Sequence, residues 1–290
     1  MSNSPVDLKV AVGKLDSLPA MPVIAQKIIG LDLASESGEK ALLALLETDP
    51  QLSAKIIGLA NTPLFGASKT VSSIQDAALI LGITRIKSVT LGIVVMSSLV
   101  KKPAGKLNFQ GLWQHSMAVA IALRTISLAM PRNMRPREDE MFLAGLLHDI
   151  GYLVLNHLDQ DLSNKLHERF ATEKGRISAE IEAEMLEMNH CELGGELARH
   201  WDLPDSIVAA LRYHDEPDNE SAKAGQPLVL MLNIAEKILS GFGIHEYAAA
   251  EIKPEDWLGL GIDPVTSDEL VEKISKQADE SKQTKGSALG

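Results

Sequence analysis

A single cysteine, Cys191, stands in a chain of 290 residues. It excludes an intramolecular disulfide and a cysteine-rich zinc site, and a reducing cytoplasm is the expected compartment. Aromatic residues are scarce at 4%, while hydrophobic residues reach 45%. The apolar mass is therefore Leu, Ile, Ala, Val and Met, which favours packed helices over sandwiches. Basic charge is also short, with a net charge of −11. That argues against nonspecific nucleic-acid binding, which needs clustered Lys and Arg, and against an anionic membrane surface. The longest apolar stretches, 89–100 and 118–130, are too short or too interrupted to span a bilayer. The opening residues Met1 to Asp7 lack a charged-then-apolar secretory pattern. Neither nucleic acid nor membrane is an expected partner.

What is present reads as helix almost throughout, with no competing strand alternation. The expected fold class is all-α. Pro19 and Pro22 precede an apolar run over 23–33, and Ser37 is a candidate cap for a helix through Leu46. Asp49-Pro50 supplies an N-cap with proline at the first helical position, opening 51–60. Ser73 and Asp76 resemble a capping box before 77–81, and Gly82 ends that helix. Thr84 then opens a long apolar helix to about Val100. Charge, proline and glycine over 101–106 mark a junction. The second set of helices is expected at 109–130, 139–158, 162–174, 178–188, 190–201, 204–214 and 227–241. The organisation read from this pattern is an N-terminal helical lobe (1–106), a helical bundle (107–245), a helical extension (246–275) and a polar, disordered tail (276–290).

His148-Asp149 is the most informative pair. It lies late in a small-residue apolar run, where a carboxylate is rarely buried unless it is paired or bound to metal. His115, His148, His190 and His214 each fall on the apolar face of a separate helical segment at i, i+3, i+4, i+7 spacing. Any one of them alone reads as a satisfied core residue, and His214 alone as a favourable helix C-terminus. Together with Asp149 they suit an oxygen- and nitrogen-liking divalent metal such as Fe, Mn or Ni, the kind of site that activates water against phosphorus. Gly145 and Gly151 beside the dyad admit either a ligand or a neighbouring helix. Arg132, Arg135 and Arg137 form a basic loop, a candidate anion-binding patch or a solvated turn.

These residues resemble the HD superfamily of metal-dependent phosphohydrolases. His148-Asp149-Ile150-Gly151 is similar to the HDIG core of the HD-GYP phosphodiesterases, and His190 and His214 look like that group's later histidines. Leu18-Pro19-Ala20-Met21-Pro22, Asp49-Pro50, Asn61-Thr62-Pro63, Ile74 to Gly82 and Trp201-Asp202-Leu203-Pro204 resemble the HDOD family, the HD-related output domain. The resemblance runs from Leu15 to Leu239. It implies an N-terminal lobe packed on an HD-like bundle with a groove between them. It also implies a metal held by His115, His148 and Asp149, with His190, His214 and Asn233 as further candidates.

The pattern departs from the HD enzymes at three places. Asn233 stands where the final aspartate ligand is expected, Tyr152 replaces the lysine after HDIG, and His214-Asp215 replaces paired histidines. Three functional readings follow. One is a signal-transduction module that binds signalling proteins or a small ligand around a degenerate metal site. Another is a metal-dependent phosphohydrolase or phosphodiesterase. The third is a purely structural domain with a buried histidine network.

Overall fold

The structure, a computed structural model, describes residues 8–9, 18–62, 65, 70–100, 105–239 and 251–282. The described residues form α-helices, short 3-10 turns and no strand, so the chain is all-α as expected.

The first helices are set by their caps. Helix α1 (Val23–Ile29) follows Pro22. Helix α2 (Glu36–Glu47) is capped by Ser35, whose hydroxyl accepts from the Gly38 amide. The expected cap, Ser37, lies inside the helix, because Ser35 is the residue with the extended backbone that a capping side chain needs. Helix α3 (Pro50–Ala60) is capped by Asp49, which accepts from the Gln51 and Leu52 amides. At its end, the Asn61 side chain donates to the Val71 carbonyl and accepts from the Val71 amide, both at 2.8 Å. One amide thus closes the connection from α3 towards α4 (Ile74–Leu81). Gly82, at φ +83°, ends α4 and starts α5 (Ile83–Leu99), and the two helices meet at 111°. A left-handed φ at such a corner favours glycine.

Helix α5 is buried along most of its length. It packs on α1, α3 and α4 and also on the second set of helices. These are α6 (Phe109–Ala129), α7 (Glu138–Leu147), α8 (Ile150–Leu158), α9 (Gln160–Thr172), α10 (Ser178–Met185), α11 (His190–His200), α12 (Asp205–Tyr213) and α13 (Leu228–Leu239). The single helix expected over 139–158 is two helices, bent by 43° at His148-Asp149. Polar ties join the N-terminal helices to the bundle. The Trp201 indole donates to the Pro19 carbonyl at 2.8 Å, and Ser88 donates to the Asp139 carbonyl at 3.2 Å. A groove of about 290 Å³ opens between them, lined by Ile29, Lys87, Arg137, Asp139, Leu203 and Ile207.

Helices α14 (Pro254–Gly259) and α15 (Ser267–Lys282) complete the described chain. Helix α15 lies against α6 and α13. Its Ile274 and Ala278 are buried, and Thr125 donates to Gln277 at 2.9 Å. Residues 276–282 are therefore helix and not the expected tail. Ala278 lies one turn after Ile274 on the same face of α15, and the pair holds the helix against the bundle. The rest of that expectation, 283–290, lies outside the described residues. No single helix among the described residues is long and apolar enough to cross a membrane.

Candidate metal centre

The bend between α7 and α8 explains how consecutive residues serve one site. In an unbroken helix, neighbouring side chains diverge by about 100°. At the corner, His148 and Asp149 both turn inward, and neither is exposed. His148 Nδ1 donates to the Gly145 carbonyl at 2.9 Å. That bond fixes the ring and leaves Nε2 facing the interior.

Glu236, on α13, meets it there. Its Oε1 lies 2.9 Å from His148 Nε2 and 3.0 Å from His115 Nε2. Asp149 Oδ2 lies 3.2 Å from His148 Nε2 and 3.6 Å from His115 Nε2. His115, His148 and Glu236 converge closely enough to ligate one ion, and all are 0% exposed. Both Asp149 oxygens, Glu236 Oε2 and His148 Nε2 lack a well-formed hydrogen bond. Buried polar atoms of this kind are costly unless something compensates them, and a divalent cation among them would do so.

Without an ion, protons hold the charge balance. Burial pulls the His148 pKa down, but Asp149 and Glu236 outweigh it and hold the ring well above the ordinary imidazole value. His115 is raised in the same way, with Glu236 the main opponent of burial. Burial pushes Glu236 and Asp149 up, yet the neighbouring imidazoles win. Glu236 is left well below the usual carboxylate range, and Asp149 is lowered.

A second group lies on the far side of Asp149, whose Oδ1 is 3.7 Å from His190 Nε2 and 3.9 Å from His214 Nε2. His190 opens α11, where Asn189 and Glu192 form a capping box. Glu182 accepts from the His190 backbone amide at 2.9 Å and from its Nδ1 at 2.9 Å. Tyr152 stacks on the His190 ring at 4.4 Å and donates to Glu182 at 2.8 Å. The residue that departs from the HD-GYP lysine thus supports a histidine here. His214 Nδ1 donates to the Leu211 carbonyl at 3.0 Å. Burial lowers the His214 pKa, and nearby His148 and His190 oppose its protonation further. Cys191 and Asp215 complete this group.

The structure brings His115, His148, His190 and His214 together around Asp149. Asn233 donates through Nδ2 to the His214 carbonyl at 2.8 Å. The carboxylate at the centre comes instead from Glu236, one turn later. The signal was present: Glu236 shares an apolar face with Val229 and Leu232 and is fully buried. The small residues beside the dyad serve helix packing. A Cβ on Gly145 would lie 2.5 Å from Ala120 Cα, and one on Gly151 would lie 1.8 Å from the His190 carbonyl oxygen. In the basic loop, Arg135 caps the end of α6 through the Leu128 and Met130 carbonyls. Arg137 forms a bidentate pair with Asp139, and Arg132 is exposed. His245 lies outside the described residues.

Comparison with known proteins places this geometry in a family. The family model described as HDOD domain matches residues 18–217. An HDOD domain protein of unknown function from Geobacter sulfurreducens is similar in structure. Its TM-score is 0.78 at 24% identity, with 96% of this chain and 98% of that one covered. A Shewanella amazonensis SB2B protein, named only provisionally as a phosphohydrolase, gives a TM-score of 0.70 at 24% identity over 97% and 98% of the two chains. At these identities the likeness concerns the fold. An uncharacterised Treponema pallidum (strain Nichols) protein is 24% identical over 213 residues, 71% of this chain and 40% of the relative. The chain thus spans about two fifths of the length of that curated relative.

Proposed function

This chain belongs to the HDOD family, and on that premise we propose that it is a signal-transduction module built around a buried divalent-metal centre. The metal is of the Fe, Mn or Ni class, and its ligands are His115, His148, Asp149 and Glu236. The observation that carries this reading is Glu236. It supplies the second carboxylate that Asn233 does not, so the donor set is chemically complete. Imidazole and carboxylate ligands in this ratio suit such ions.

In this reading the four buried ligands serve structure; a catalytic centre would in addition keep an open position for water and substrate. The metal in this role fixes the arrangement of α6, α7 and α13. The output surface is the groove between the lobes, where a signalling protein would dock beside Lys87, Arg137 and Asp139. The complete donor set favours a second reading, a phosphohydrolase of the HD superfamily. In that case the metal supplies Lewis-acid activation of water for attack on phosphorus.

Metal analysis of the full chain, purified without chelator, tests the proposal. Near-stoichiometric Fe, Mn or Ni that is lost in His148→Ala is expected, without hydrolysis of a generic phosphodiester. No bound metal overturns the signalling centre. Hydrolysis that disappears in Asp149→Ala selects the second reading.

A further inference from the structure

We propose that α14 and α15 form a two-part clamp on α13, in which α14 is a fixed elbow and α15 a detachable arm that gates the buried centre. Seated, the arm keeps Glu236 in register with His115. Released, it frees α13 to part from α6. The consequence for a metal rests on Glu236 being a ligand; the clamp itself does not.

Helix α13 needs cover on both sides. None of its residues is exposed. At about 100° per residue, Glu236 shares a face with Val229, Leu232 and Leu239, while Met231 and Ile234 point the other way. Both of these are 0% exposed as well. A helix that buries apolar residues all round is stable only between other elements. Helices α6, α7 and α12 pack on it within the bundle, and α14 and α15 pack on it from the extension. Leu230 and Lys237 flank the side turned away from Glu236, and both meet α14. Lys237 Nζ donates to Asp256 at 3.3 Å, and a Cβ on Gly259 would lie 2.8 Å from Leu230 Cδ2.

The two parts of the clamp are held unequally. At the elbow, Trp257, Leu260 and Ile262 are all buried. Gly261, at φ +69°, brings the turn so close to Pro131 that a Cβ would lie 2.9 Å from that ring. The arm, 16 residues long, carries four apolar side chains: Leu270, Val271, Ile274 and Ala278. At helical spacing they make one stripe about 100° wide, and Ile274 and Ala278 are its buried members. Thr125 adds one bond, to Gln277 at 2.9 Å. Between elbow and arm runs the short turn Pro264–Thr266, where Val265 is 87% exposed. Segments with few buried apolar contacts open by themselves, well below the cost of global unfolding. The arm therefore detaches at this turn and leaves the elbow in place.

The arm lies across α6 and α13 together. These helices carry His115 and Glu236, whose Nε2 and Oε1 atoms are 3.0 Å apart. While α15 is seated, α6 and α13 cannot separate without displacing it. A centre whose donor residues are all 0% exposed needs an entry path for an ion. Opening the arm supplies one that leaves the histidine helices α7, α8 and α11 untouched.

Hydrogen exchange of the full, metal-free chain, read helix by helix, tests the clamp. The α15 amides are expected to exchange at least about 10-fold sooner than those of α6 and of 257–262. Ile274→Asp sets a charge in the seat; it is expected to abolish α15 protection and to speed α13 about 10-fold, with α8 and α11 unchanged. Thr125→Val, a milder change, is expected to move α15 and α13 in the same direction, and Ile274→Leu to move neither. Should Ile274→Asp loosen every helix alike, Thr125→Val decides by the same criterion. Protection of α15 equal to that of α6 in the unmodified chain overturns the clamp, and so does a released α15 with α13 unchanged. Chelator-driven loss of Mn(II) is expected to be about 10-fold faster in Ile274→Asp, and an unchanged rate beside a loosened α13 overturns the gate. A chain that takes up no Mn(II) removes Glu236 as a ligand and leaves the exchange result to decide the clamp.

Discussion

Glu236 Oε1 stands 2.9 Å from His148 Nε2, with both side chains sealed from solvent. Removing the charge from one partner strands the other. Glu236→Gln is expected to abolish metal uptake and to destabilise the metal-free protein by about 3–5 kcal/mol, the usual cost of breaking a buried pair. Urea unfolding with parallel metal analysis measures both. A variant that keeps its metal and its stability would remove Glu236 from the centre.

Asn233→Asp separates the sequence expectation from the structure. Were Asn233 the missing ligand, the carboxylate would strengthen metal binding. Its amide instead donates to the His214 carbonyl. The substitution leaves that carbonyl without its donor and sets a negative charge against it. A loss of about 1–3 kcal/mol is expected, with no gain in Mn(II) affinity by calorimetry.

Metal stabilisation depends on pH with a definite sign. The His115 and His148 pKa values are raised above the unfolded value of about 6.5. Their contribution to the metal-free fold is complete below about 6.5 and is lost as pH rises through the raised values. Metal needs the unprotonated rings. The rise in Tm on adding Mn(II), and the fall on adding chelator, is therefore expected to grow from about pH 6 to about pH 8. Thermal scans across that range check it; an effect that shrinks with pH would contradict it.

Gly151→Ala is expected to be severe. Its Cβ would lie 1.8 Å from the His190 carbonyl oxygen, a backbone atom that cannot rotate away. Overpacking of this kind costs about 1–3 kcal/mol or more. The control is Gly194→Ala, whose Cβ would meet Ile150 Cγ2 at an ordinary 3.4 Å. It is expected to be neutral or to stabilise by up to about 1 kcal/mol, because alanine favours helix. Calorimetric Tm values distinguish the two.

Much of this was legible in the chain. Caps at Asp49 and Ser73 act locally, so their residues name them. The histidines were found because a polar ring on an apolar stripe violates a simple periodicity. Glu236 escaped because the family pattern pointed at the residue one turn earlier, and helical spacing alone does not tell which of two facing polar residues reaches further. Cys191 and Asp215 gain meaning only when α11 and the end of α12 meet, a long-range contact that no local spacing encodes. The corner at His148-Asp149 escaped for a related reason. Its apolar pattern runs on unbroken through the bend.

Helix α11 begins at His190 and Cys191 and runs to His200, with Trp201 next and its indole anchored on Pro19. At about 1.5 Å per residue it is a strut of roughly 16 Å. One tip is clamped by Gly151, which leaves no clearance for His190 to slide. The strut therefore joins the buried histidine group at one tip to the contact with Pro19 of the amino-terminal lobe at the other.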